Sequence, residues 1–91
     1  MTILLVEDNP DDATLTELAL RQGISAKLEI ARDGQQALDY LSNDANDVPR
    51  LVLLDLRLPD VNGLEVLRRI REHDRTRLIP VVIVTNSSGT E

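Results

Sequence analysis

The chain has 91 residues, 42% of them hydrophobic and 29% charged, the balance of one small globular domain rather than of a disordered segment. It has no cysteine, which excludes a disulfide framework and a thiolate metal site, and its formal net charge of -6 with a single aromatic residue, Tyr40, argues against a nucleic-acid surface built on basic patches or base stacking. No apolar run approaches a membrane span, and Met1 leads directly into an apolar strand rather than a signal peptide, so the expected location is the cytoplasm, with no membrane partner.

The period of the apolar residues alternates between strand and helix along the chain. Residues 2–6 read as a first strand. Asn9-Pro10-Asp11-Asp12 reads as a helix start, with Asn9 as cap, Pro10 at the first position and carboxylates at the positive end of the dipole. This helix is expected to reach about Gln22, to bury Leu15, Leu18 and Ala19, and to stop at Gly23. Residues 26–31 form a second strand. Polar and apolar residues alternate there, so it is half exposed and belongs at a sheet edge. Asp33-Gly34 turns the chain into a second helix over about 35–43, with Ala37, Leu38 and Leu41 inward.

A polar loop and Pro49 lead to a third strand at 50–55. The Pro, Asn and Gly of segment 58–63 mark a loop. A third helix covers about 64–74, with Leu64, Leu67 and Ile70 on one face, and Pro80 precedes a fourth strand at 81–85. The order βαβαβαβ implies an α/β fold, a parallel sheet with helices on both faces and right-handed crossovers. The fourth strand is apolar throughout, yet the third is its only expected neighbour. A bare apolar edge invites aggregation or swapping. Periodicity alone therefore predicts a fifth strand with flanking helices that is missing here or supplied by another chain.

Ligands of parallel α/β sheets bind outside the carboxyl ends of the strands. Glu7 and Asp8 follow the first strand, Asp55 ends the third, and the hydroxyl of Thr85 ends the fourth. Together they suit a hard cation and a phosphate-like group: Mg²⁺ takes one or two carboxylates plus waters and phosphate oxygens. Asp55 is the candidate nucleophile, since a carboxylate can accept a phosphoryl group. Any one of these acids could merely solvate a loop, and Thr85 alone could be a strand-favouring β-branched residue. His73, among charged neighbours, reads as solvated. Arg68, Arg69 and Arg71 read as a basic face with i,i+4 partners such as Glu65 with Arg69, and Tyr40 reads as packing.

The strings Ile3-Leu4-Leu5-Val6-Glu7-Asp8-Asn9, Leu53-Leu54-Asp55-Leu56-Arg57-Leu58-Pro59 with Gly63, and Pro80-Val81-Val82-Ile83-Val84-Thr85 together resemble the receiver domain of two-component response regulators, in order and along the whole chain. The run from Val6 to Ala13 is most similar to single-domain regulators that serve phytochrome-type kinases. The resemblance implies a flavodoxin-like sheet, 2-1-3-4 here and lacking a fifth strand, so that residues 1–91 would be a C-terminally incomplete receiver domain. It also implies transfer of a phosphoryl group to Asp55 from a sensor histidine kinase or phosphotransfer protein.

By the same resemblance Asp8, Asp55 and the backbone carbonyl of Arg57 hold Mg²⁺, with Glu7 in support. Thr85 swings towards the phosphoryl group, and Arg57 and Ser87 tune its lifetime. Family members carry a lysine and an aromatic residue on the fifth strand. Neither is matched here, and Lys27, the only lysine, opens the second strand. Asn86 stands where a small residue is usual. The expectation is therefore a phosphoacceptor, impaired as it stands, and not an enzyme with a turnover cycle. The alternative is an assembly module, a homodimer or segment-swapped oligomer formed through the fourth strand. A haloacid-dehalogenase-like phosphohydrolase, which wants a second Asp two positions after the nucleophile, is disfavoured by Arg57.

Overall fold

A computed structural model describes residues 1–84. The elements are β1 (Thr2–Val6), α1 (Pro10–Arg21), β2 (Lys27–Ala31), α2 (Gly34–Ser42), β3 (Leu51–Leu54), α3 (Gly63–Glu72) and β4 (Val81–Ile83). The strands form one parallel sheet in the order β2-β1-β3-β4. Asn9 caps α1, accepting from the amides of Asp11 at 2.9 Å and Asp12 at 3.1 Å, and Pro10 occupies the first turn. Asp33 caps α2 through the amide of Gln36 at 2.7 Å, and Asn62 caps α3 through that of Leu64 at 2.8 Å.

Strand alternation sorts the core into two faces. Leu4, Val6, Val52 and Leu54 point to one side and meet Ala37 and Leu41 of α2 with Val66 and Ile70 of α3. Ile3, Leu5 and Leu53 point to the other and meet Ala13 of α1. The central strands are thus buried on both faces, which is why they are apolar apart from Thr2 at the start of β1.

Several sequence expectations shift. The third strand and third helix are shorter than read, and Gly23 ends α1 without a left-handed conformation. Leu15 and Leu18 are not buried but 64% and 54% exposed, and Ala19 is exposed with them. The helical period explains the error. Ala13, Thr16, Glu17 and Leu20 share the face turned to the sheet, and Leu15, Leu18 and Ala19 lie on the opposite one. In α3 the sheet-facing set is Gly63, Val66, Leu67 and Ile70, so Leu64 is exposed. Arg71 is exposed like Arg68 and Arg69, and its Nη1 also donates to the carbonyls of Arg77 at 2.9 Å and Ile79 at 2.6 Å, which ties α3 to the approach to β4.

Candidate functional site

The ladder carries β1 and β3 to one level at their carboxyl ends. Val6 pairs with Ala31 and Leu54, the amide of Glu7 donates to Ala31 O at 2.9 Å, and that of Asp55 donates to Val6 O at 3.1 Å. Glu7 and Asp55 are therefore set side by side by backbone pairing, each 3% exposed, with Asp8 exposed at the mouth. Carboxylate oxygens of Glu7, Asp8 and Asp55 lie within 4.8 Å of one another. The amide of Arg57 donates to Asp55 Oδ1 at 2.9 Å, folding the next loop back on the carboxylate, and the amide of Asn9 donates to Glu7 Oε2 at 3.3 Å. The Arg57 side chain is exposed.

Such crowding has an electrostatic consequence. Burial, and then a hydrogen bond and charge repulsion from Asp55, push the Glu7 carboxyl up to about 7 against the opposing pull of the Asn9 amide. Among the described residues no Lys or Arg forms an ion pair with Glu7, Asp8 or Asp55. Two buried carboxylates and a third at the mouth, without a cationic partner among the described residues, fit a divalent cation of the Mg²⁺ class better than a neutral ligand.

The structure thus brings together Glu7, Asp8, Asp55 and the start of the Arg57 loop. Thr85, with Asn86, Ser87 and Ser88, lies outside the described residues. Val84, the residue before Thr85, donates its amide to Leu54 O at 2.8 Å, so the chain leaving β4 stays beside the end of β3, which Asp55 follows. His73 is exposed, Tyr40 packs against the core on the α2 side, and Arg69 meets Glu65 at 3.1 Å.

Sequence reasoning passed over Asp60. Its Oδ1 accepts from the Gly34 amide at 2.8 Å and its Oδ2 from the Gln35 amide at 3.0 Å, across 26 and 25 residues. No local spacing could have announced a contact of that range.

Residues 3–91 match the response regulator receiver domain family. The chain belongs to that family. The receiver domain is 48% identical, over 98% of its own length, to the "Probable methanogenesis regulatory protein FilR2" of Methanothrix harundinacea. Among solved structures it resembles the bacteriophytochrome response regulator AtBRR, with a TM-score of 0.84 at 48% identity over 92% of this chain and 65% of that one. It also resembles the Mn(2+)-bound form of response regulator Rcp1, with a TM-score of 0.86 at 38% identity over 98% of this chain and 68% of that one. The chain spans 60% of the length of FilR2.

Proposed function

We propose that this receiver domain accepts a phosphoryl group on Asp55 in a reaction that depends on Mg²⁺. The observation that carries the reading is the meeting of Glu7, Asp8 and Asp55 within 4.8 Å at the carboxyl edge of the sheet, two of them buried. Asp8, Asp55 and the Arg57 carbonyl would hold the ion, with Glu7 in support. When bound, the cation neutralises the carboxylates and the oxygens of the incoming phosphoryl group. The likeness to a response regulator solved in its Mn(2+)-bound form supports a divalent cation as the ligand.

The residues of the chain do the rest by position. The Arg57 amide fixes one oxygen of Asp55 and with it the plane of the carboxylate. A carboxylate oxygen attacks phosphorus, and the new P–O bond forms as the P–N bond of a phosphohistidine breaks. The electron pair of that bond stays on the imidazole nitrogen, which is later protonated. A sensor histidine kinase or phosphotransfer protein is the proposed donor, and the likeness to a bacteriophytochrome response regulator favours a phytochrome-type kinase. Hydrolysis of the acyl phosphate resets the domain, so it is a signalling module without a catalytic turnover cycle. Among the described residues no helix is long and apolar enough to cross a membrane, and we place the module in the cytoplasm with its donor.

The 91 residues contain one lysine, and it is remote from the site. Lys27 begins β2, at the end of that strand away from Ala31, and pairs with Glu29 at 3.2 Å. A phosphoryl group on Asp55 would therefore have no lysine to share its charge, and we infer slow acceptance by this chain. Incubation with acetyl phosphate and Mg²⁺, read by intact mass, tests the reading. The wild type gains one phosphoryl group, Asp55→Asn gains none, and chelation of the metal prevents the gain. Labelling that persists in Asp55→Asn contradicts the assignment.

A second reading rests on β4. Val82 and Ile83 are exposed, and among the described strands β4 pairs with β3 alone. Self-association through that strand is compatible with phosphoryl acceptance. Light scattering on a dilution series would show a mass that falls towards the monomer, and a monomer at every concentration excludes it.

A further inference from the structure

The loop that follows Asp55 is fastened at three points. At its start the Arg57 amide bonds Asp55 Oδ1 at 2.9 Å. At its end the Gly63 amide donates to Leu56 O at 3.2 Å, and a Cβ on Gly63 would lie 2.5 Å from Leu56 Cα and 3.0 Å from Asp55 O. Only a residue without a side chain lets α3 begin this close to the backbone of the acceptor.

The third point is Asp60, at the crest of the loop. Both its oxygens are used, one on each of the first two amides of α2. The partner surface is built to receive it: a Cβ on Gly34 would sit 2.8 Å from Val61 Cβ and 3.4 Å from Asp60 Oδ1, so glycine there admits the loop. Desolvation opposes ionisation of Asp60, but the Gly34 and Gln35 amides outweigh it and hold the carboxyl below the usual range.

Helix α2 already has a cap of its own, since Asp33 serves the Gln36 amide at 2.7 Å. Asp60 serves the two amides before it, Gly34 and Gln35, which Asp33 leaves open. Because those bonds come from a distant loop, they also tether α2 to the segment that carries Arg57.

We propose that Asp60 is a positioning residue for the phosphoacceptor site: by gripping the first turn of α2 it fixes the loop whose Arg57 amide orients Asp55 and whose Arg57 carbonyl would complete the cation shell. This rests on the phosphoacceptor reading given above. The hydrogen bonds of Asp60 go to the Gly34 and Gln35 amides and not to the three carboxylates, so its effect must travel through the backbone from 56 to 60. Residues that orient metal ligands in this indirect way typically change metal affinity by about 10- to 100-fold when removed.

The experiment is Mn²⁺ titration, followed by paramagnetic broadening of backbone amide signals, on the wild type, Asp60→Ala, Asp60→Asn and Asp33→Ala, with hydrogen exchange at the loop amides as a second readout. Asp60→Ala is expected to weaken Mn²⁺ binding about tenfold and to speed exchange across the loop, while β1 and β3 stay protected. Asp60→Asn, which keeps one acceptor, should recover part of the affinity. Asp33→Ala, which loosens the cap of α2 without releasing the loop, should bind Mn²⁺ within about twofold of wild type, well inside the effect of losing a metal-orienting partner.

Equal weakening by Asp33→Ala and Asp60→Ala would overturn the proposal in favour of helix stability alone. Wild-type affinity in a folded Asp60→Ala would overturn it outright, and Asp60→Asn decides the matter if the alanine variant does not fold. Failure of the wild type to bind Mn²⁺ near Asp55 would instead sink the phosphoacceptor reading, and this inference with it.

Discussion

The two faces of the sheet are unequal. On the side of α2 and α3, side chains from two central strands and two helices close over one another, and Val6, Ala37, Val52, Leu54 and Val66 have no exposed surface. On the side of α1 the buried set is Ile3, Leu5, Ala13 and Leu53, under one helix that meets the sheet chiefly through an alanine. Leu15 and Leu18 look outward from that helix, and Val82, paired with Leu53, is 48% exposed. Stability should therefore reside on the α2–α3 face, with the α1 face free to change cover. The site sits on the rim between them, where Glu7, Asp8 and Asp55 depend on β1 and β3, the strands both faces share.

Substitutions can break this comparison directly. Leu54→Ala or Ile70→Ala on the well-covered face should cost about 2–5 kcal/mol, the range for truncating a fully buried aliphatic residue, and a urea titration measures it. Gly63→Ala strikes the rim, because its Cβ would fall 2.5 Å from Leu56 Cα. The loop must shift, and loss of Mn²⁺ affinity should accompany a stability loss of about 1–3 kcal/mol, as overpacking usually costs.

pH sharpens the contrast between rim and core. Glu7 holds its proton up to about 7 in the folded chain, against the ordinary value of 4.5. Between those values the folded state keeps a proton that the unfolded chain has released. The resulting stabilisation is complete below the lower value and is lost as pH rises through the upper one, of order 3 kcal/mol across the window. Unfolding midpoints at either end of that window check this. Glu7→Gln should flatten the profile, and saturating Mg²⁺ should do the same by favouring the ionised form. Smallest of all, Leu18→Ser on the outer side of α1 should change stability by no more than about 0.5 kcal/mol, as for other exposed positions.

Much of the rim was legible in the sequence because strand ends are local features. An apolar run followed by acids puts Glu7, Asp8 and Asp55 at strand ends, and the parallel α/β pattern brings those ends to one edge. The cap at Asn9 and the turn at Asp33-Gly34 were legible for the same reason, as each is satisfied within three residues. The choice of buried stripe on α1 was not. That helix has leucines on both sides, and only the sheet decides that Ala13 and Leu20 face inward rather than Leu15 and Leu18. The grip of Asp60 on α2 was hidden as well, since it joins a loop to the start of a helix that is its neighbour only after the βαβ crossover is made. Thr85, the proposed switch hydroxyl, lies outside the described residues and rests on the sequence pattern.

The most direct test is a crystal of this chain soaked in Mn²⁺ and examined by anomalous scattering. A single peak bridging carboxylate oxygens of Asp8 and Asp55, with the Arg57 carbonyl among its ligands, is the expected result. A peak elsewhere, or Asp8 and Asp55 turned away from each other with no ion between them, would contradict a shared metal-dependent acceptor site.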